Sequence, residues 1–212
     1  MKRFLATDGV SIAYTIDDYT DPWREGAPTA ILRHAGMGSA KRGRPRGPAL
    51  ARRFRVVRMD LRGHGESAVP PPGSPLTLER MTADVRDLMA HLGVPQAHFI
   101  CNATGGYLGQ HLAATSPDLA RSLVLFSSTP GQKNAGTAAW IPRIRAIGLR
   151  AFLEESIAGR LATERLDPRY LKWYVDEAAK NDEGFIIRLL ELMSALDLSD
   201  ELDFIRCPVM LM

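Results

Sequence analysis

Only two cysteines occur in the 212 residues, Cys101 and Cys207, and each lies in a short apolar run rather than in a spaced cluster. That argues against a disulfide framework or a cysteine-built metal centre and leaves two buried thiols as the expectation. No window approaches ~18 uninterrupted apolar residues, the length a membrane span needs. The N-terminal MKRFLATDGVSIAY carries basic residues without the apolar core of a secretory signal. A cytoplasmic protein with no membrane partner is the expectation. Internal repeats and low-complexity tracts are missing too, and Pro70-Pro71-Pro72-Gly73 reads as a loop.

What is present is the composition of an ordinary globular domain, 45% hydrophobic and 24% charged, long enough for one substantial core. The formal charge is +3, unevenly spread. Lys41, Arg42, Arg44, Arg46, Arg52, Arg53, Arg55, Arg58 and Arg62 are offset within their stretch only by Asp60. Because no aromatic stacking pattern accompanies these charges, they are expected on a solvated helix face and at strand ends, with no nucleic-acid partner. A small anionic substrate stays open as a reading.

Residues 2 to 18 alternate apolar and polar positions about an Asp8-Gly9 turn, which predicts an antiparallel hairpin and hence two edge strands. Three apolar runs follow, Thr29 to Leu32, Val56 to Met59 and His98 to Cys101, each succeeded by turn residues and a helical pattern. Such spacing predicts βαβ units in a parallel sheet. Between Leu76 and Leu92 the apolar positions Leu78, Met81, Val85, Leu88, Met89 and Leu92 share one helical face, with Thr77 as N-cap and Gly93 as C-cap. After the run Ser122 to Phe126 the alternation stops, and Ala138 to Leu198 is almost wholly helical in pattern. Helices inserted there would lie over the carboxyl ends of the strands, where open α/β sheets bind ligands. A last strand-like run, Cys207 to Met212, closes the sequence.

The segment His98-Phe99-Ile100-Cys101-Asn102-Ala103-Thr104-Gly105-Gly106-Tyr107-Leu108 reads as strand, tight turn, helix. It resembles the nucleophile elbow of the α/β-hydrolase superfamily, with Gly105 at the final small position, Cys101 where the family usually has glycine, and Ala103 at the place of the nucleophilic serine. A methyl group cannot attack a carbonyl. Two substitutes come into view: Thr104, if the register slips by one, and Cys101, although no neighbouring base is visible to lower its pKa. Ile31 to Ser39, with His34-Ala35-Gly36, resembles the family's strand and oxyanion loop, Ala35 replacing the usual glycine. Asp60-Leu61-Arg62-Gly63-His64-Gly65-Glu66-Ser67 is similar to its D-x-R-G-x-G-x-S segment.

The resemblance covers nearly all of residues 1 to 128 and is strongest to ester and lactone hydrolases of the 3-oxoadipate enol-lactonase kind. It implies an α/β fold, a mostly parallel sheet with helices on both faces, divided into a hydrolase core (1–128), a helical cap (129–202) and a return to the core (203–212). It further implies an oxyanion hole from the N–H groups of Gly36 and Thr104, a pocket touched by His34 and Trp140, and His34 and His64 as structural histidines. Asp60 and Arg62 are expected to bond loop backbone. The implied activity is acyl-enzyme cleavage of an ester, lactone or related bond in a small molecule, with no metal or other cofactor. Family order puts the triad acid after the strand that follows the cap and the histidine after the last strand. Residues 207–212 are that first strand, so a C-terminal part is expected to be missing, neither group falls within the sequence, and Ser127-Ser128-Thr129, the other place for the acid, has no charge. This chain is therefore expected to be inactive, to be poorly soluble or dependent on a partner segment, and at most to hold a small acid. Oligomeric state has no signature here.

Overall fold

The structure, a computed structural model, describes residues 1–23, 26–133 and 136–212. Strands β1 (Lys2–Leu5) and β2 (Ser11–Asp17) form the expected hairpin, paired antiparallel from Lys2 opposite Tyr14 to Leu5 opposite Ser11. Then come β3 (Thr29–Arg33), the short α1 (Gly47–Ala51), β4 (Arg55–Met59), α2 (Leu78–Leu92), β5 (Ala97–Asn102), α3 (Thr104–Thr115) and β6 (Ala120–Phe126). Three helices, α4 (Trp140–Ser156), α5 (Pro168–Ala178) and α6 (Glu183–Ser194), precede β7 (Val209–Leu211).

The seven strands are ordered β1-β2-β4-β3-β5-β6-β7. All neighbours from β4 onward are parallel, and β2 joins β4 antiparallel. The hairpin therefore supplies one edge strand, not two: β2 is bonded on both sides, and the other edge is β7. Sequence alternation identifies a half-buried strand but carries no information about its second neighbour.

Local chemistry explains the boundaries. The Thr77 side chain accepts from Arg80 N at 3.0 Å at the start of α2, and Gly93 at its end has φ 64°, the left-handed geometry of a C-cap. Met81, Val85, Leu88 and Met89 turn inward from that helix. The main core unites Val85, Leu88, Met89 and Leu112 with Ile12, Ile31, Val57, Phe99, Cys101 and Leu123 of the sheet. On the opposite sheet face Ala30, Leu32 and Val56 pack against Ala51. The helices after β6 have their own cluster, Ile141, Ile144, Leu149, Phe152, Leu153, Val175 and Ile186, which reaches the rest through Met37. Helix α6 belongs to two clusters: Ile186 and Leu190 face α4 and α5, while Phe185, Leu189 and Met193 pack with Leu61, Tyr107 and Leu108.

The basic stretch departs from the expected solvated face. Arg58 and Arg62 are buried. Arg58 is paired with Asp17 through two bonds of 2.7 and 3.1 Å. Arg62 makes a two-bond pair with Asp84 and a third bond to Asp8, rather than bonding loop backbone as expected. Those carboxylates are remote in sequence from the arginines, so local charge counting could not reveal them. Asp60 does bond loop backbone, accepting from Ala40 N and Glu66 N. Of the cysteines, Cys101 is buried, but Cys207 is only half-buried and precedes β7 rather than lying in it.

Candidate active site

At the end of β5 the chain turns into α3 through Ala103, at φ 45° and ψ −111°. This is a conformation that L-residues adopt only under constraint, at a cost of ~1–3 kcal/mol. The constraint is visible: Ala103 N donates to Phe126 O at 3.0 Å, and Ala103 O accepts from Gly106 N at 2.7 Å and Tyr107 N at 3.2 Å. The turn runs so close to β3 that a Cβ on Gly105 would lie 2.7 Å from Arg33 Cβ and 2.8 Å from His34 O. Glycine is required there by contact rather than by dihedral angle. Cys101, the departure from the family's glycine, has its room on the facing helix, since a Cβ on Gly109 would lie 2.9 Å from Cys101 Sγ.

Gly36 meets the first residue of α3. A Cβ on Gly36 would fall 2.8 Å from Thr104 Oγ1, so the loop after β3 and the elbow touch at two small positions. Gly36, Ala103 and Thr104 all line one cavity of about 150 Å³. Its walls are otherwise mostly apolar, with Met37, Trp140, Leu189, Leu190 and Met193 among them, interrupted by Gln132, Arg160 and Tyr174. Among the described residues no histidine, aspartate or glutamate lines it. Trp140, 36% exposed, is at its rim, with the Arg160 guanidinium carbon 4.8 Å from the Trp140 ring centre.

His34 is placed differently from Ala103, Gly36, Thr104 and Trp140. It lines a neighbouring cavity of about 400 Å³, which shares Ala35, Arg160 and Tyr174 with the smaller one. Its Nε2 accepts from Leu61 N at 3.0 Å, which leaves Nδ1 to donate to Ala35 O at 2.7 Å. His64 is engaged alike, Nε2 accepting from Met37 N and Nδ1 facing Arg62 O. Burial pushes both imidazoles down to about 3, so both are neutral. With both ring nitrogens committed, neither can act as a base toward position 103. Burial also raises the Cys101 thiol to about 12, which keeps it protonated and removes it as a substitute nucleophile.

Sequence reading did not find Arg160. It sits between α4 and α5, 123 residues from the Met37 sulfur that its Nη1 meets at 3.6 Å. Nothing in the sequence sets it apart from the other cations of that helical segment, such as Arg143, Arg150 and Arg165.

A family model described as "alpha/beta hydrolase fold" matches residues 29–203. The enol-lactonase of Burkholderia xenovorans superposes with a TM-score of 0.85 at 27% identity, covering 99% of this chain and 80% of that one. A hydrolase of Pseudomonas aeruginosa gives 0.84 at 28%, covering 99% and 78%. RutD of Stutzerimonas stutzeri, named as a carbamate hydrolase, is 27% identical over 199 residues, 87% of this chain and 72% of its own length. With the soluble epoxide hydrolase of a Corynebacterium species the match is 37% over 95 residues, 45% of this chain and 32% of that protein. The matched span includes the strained turn at Ala103, the Gly36 contact and the parallel strands that bring them together, and on these grounds the chain belongs to the α/β-hydrolase fold family.

Proposed function

We propose that residues 1–128 are a hydrolase core, 129–202 a cap over its site and 203–212 the return to the core. In a form with serine at position 103, this site cleaves an ester, lactone or related acyl bond of a small molecule through an acyl-enzyme. The observation that carries the reading is the strained Ala103 apex sharing one small cavity with the backbone of Gly36 and Thr104. A serine hydroxyl on that apex would project into the cavity, and the oxygen of an attacked carbonyl would gather its charge against the two N–H groups. Neither N–H donates to another described residue, so both are open to a ligand oxygen. The enol-lactonase and carbamate hydrolase names among the relatives support acyl chemistry. Nothing in this scheme calls for a metal or cofactor, and it places a small molecule, not a nucleic acid or membrane, in the site. A cytoplasmic location is part of the same reading; separately, no described helix is long and apolar enough to cross a membrane.

With Ala103 the chain has no nucleophile at the apex, and among the described residues the cavity presents no base. We therefore read the Ala103 form as one that holds its ligand without turnover. The same observation favours a second reading, a non-catalytic relative that binds a small acid.

The test is Ala103→Ser treated with p-nitrophenyl acetate, read by intact mass and peptide mapping. Oxyanion stabilisation without a base supports at most ~10³–10⁴-fold acceleration over water, so a slow, single acetyl adduct on residue 103 is expected. A folded Ala103→Ser chain that acquires none, while the Ala103 form is stabilised by small acids, would replace the hydrolase reading with the binding one.

A further inference from the structure

The sheet is covered unequally. On one face α2 and α3 bury Phe99, Cys101, Leu123 and their neighbours. On the other, α1 covers the β3–β4 part, where Ala51 packs with Ala30, Leu32 and Val56. Beyond α1 the same face continues through Ile100, Val124 and Phe126, all half-buried, to Met210, which pairs with Val124 and is exposed. The residues that alternate with these in β5 and β6, such as Cys101 and Leu125, are fully buried against α2 and α3. Parallel strands are ordinarily covered on both faces, and a contiguous apolar patch left open marks a contact surface.

Cations stand at both ends of this patch. Arg46, reaching in from the segment after β3, has its guanidinium carbon 5.6 Å from the Phe126 ring centre. Arg121 is at the opposite end of β6, its Nε donating to Gln96 at 3.2 Å. The cavity of about 400 Å³ opens at the Phe126 end, and Arg42, which also lines it, has its Nε buried without a partner. Among the described residues no carboxylate lines that cavity or pairs with Arg42, Arg46 or Arg121. Between the two ends the only polar pair of the patch, His98 Nδ1 and Ser122 Oγ at 2.7 Å, is satisfied within itself.

We propose that this face docks an amphipathic helix of a partner polypeptide, its apolar stripe on Ile100, Val124, Phe126 and Met210 and its acidic residues toward both ends, near Arg46 and Arg121. A helix is the element that covers a sheet face, and it reads such a surface through anchors at i, i+3, i+4 and i+7. From Arg121 to Phe126 the strand runs about 17 Å, the length of about 11 helical residues. The charge chooses the occupant. Two copies of this chain laid face to face would oppose cation to cation, whereas an acidic helix answers every unpaired arginine at the rim. A flat bilayer is held off by α1, which stands on the same face through Ala51. The proposal is independent of the chemistry at position 103, which the smaller cavity holds.

The probe is a fluorescein-labelled synthetic helix of about 14 residues, with leucines at i, i+3, i+4 and i+7 spacing and glutamates at both ends, titrated with the unaltered chain and read by anisotropy. Its control has lysine in place of every glutamate. At low salt the glutamate peptide should bind about ten-fold more tightly than the lysine peptide. Val124→Glu should abolish binding while leaving the thermal melt in place. Arg46→Glu combined with Arg121→Glu, both at exposed positions, should reverse the preference, and this pair decides the matter if Val124→Glu does not fold. Equal affinity for the two peptides, binding of neither, binding that survives Val124→Glu in a folded chain, or a preference that survives the double charge reversal would each overturn the proposal. Flotation with phosphatidylglycerol vesicles that the glutamate peptide fails to displace would overturn it too, by giving the face to a membrane.

Discussion

His34 and His64 lie with ring centroids 5.4 Å apart, both buried, and spend their ring nitrogens on backbone groups. Their folded-state values near 3, against an ordinary 6.5, have a direct consequence for stability. Unfolded chains take up these protons near the ordinary value and folded chains only far lower, so between the two the unfolded state binds more protons. The contribution is complete above about pH 6.5 and is lost as pH falls toward 3. Each histidine adds a slope of up to about 1.4 kcal/mol per pH unit in that window. Asp60, raised by burial, acts in the opposite sense. Urea midpoints should therefore drop between about pH 7 and pH 5, and a constant midpoint would contradict the neutral assignment. At this scale the sequence was readable wherever a short motif fixed the backbone, as in Asn102-Ala103-Thr104 or His34-Ala35-Gly36. It was opaque for Arg160 and Tyr174, whose meaning depends on partners such as Met37 and Arg42 more than a hundred residues away.

The approach of α3 to β5 is set by Gly109 lying against Cys101. Gly109→Ala would put a methyl 2.9 Å from Cys101 Sγ and 3.0 Å from Leu123 Cδ1, in a helix-to-sheet contact that cannot widen without moving Ala103. Overpacking of this kind costs about 1–3 kcal/mol. Cys101→Ala in the same chain should recover the part of it that comes from Sγ, leaving the Leu123 contact, and denaturant titration of both single variants and the double variant measures the coupling. Additive effects would mean that α3 yields elsewhere. Helix and strand identities were legible because their periods differ, and Thr77 and Gly93 marked the ends of α2 through capping chemistry. Strand neighbours were not, since alternation in Ser11–Asp17 is equally consistent with one partner or two. Nor did the helical run after Trp140 show its break at Gly148, where φ reaches 81°.

At the scale of the molecule the sheet is asymmetric. One edge, β1, is short and carries Lys2 and Arg3, charges that discourage pairing with another chain. The other, β7, is exposed along its length, with Met210 58% and Leu211 71% accessible and Met212 beside them at 69%. An open, apolar, uncharged edge is a template for strand addition. Concentration-dependent association is expected in sedimentation velocity, and Met210→Lys should shift the protein toward monomer. A chain that stays monomeric at high concentration, with a sharp two-state melt, would refute this. The overall architecture was legible because three motifs and an alternating pattern agree, whereas the pairing of buried arginines with Asp8, Asp17 and Asp84 exists only once the sheet has formed.

Helix α6 packs in two directions, and this makes it the joint between the sheet and the helices after β6. Phe185 sits against Gly63 and 5.8 Å from the His64 ring, Leu189 and Met193 share a cluster with Tyr107 and Leu108, and Gly65 N donates to Asn181 just ahead of the helix. By contrast, the cluster joining α4 and α5 includes only one buried residue from before the sixth strand, Met37. Helix α6 is thus the link through which α4 and α5 are held to the sheet, Ile186 and Leu190 packing on them from its other side. The stack of Arg42 on Tyr174, whose ring also walls the cavity at position 103, is a second tie between α5 and the segment after β3, so the roof of the cavity is pinned from two sides.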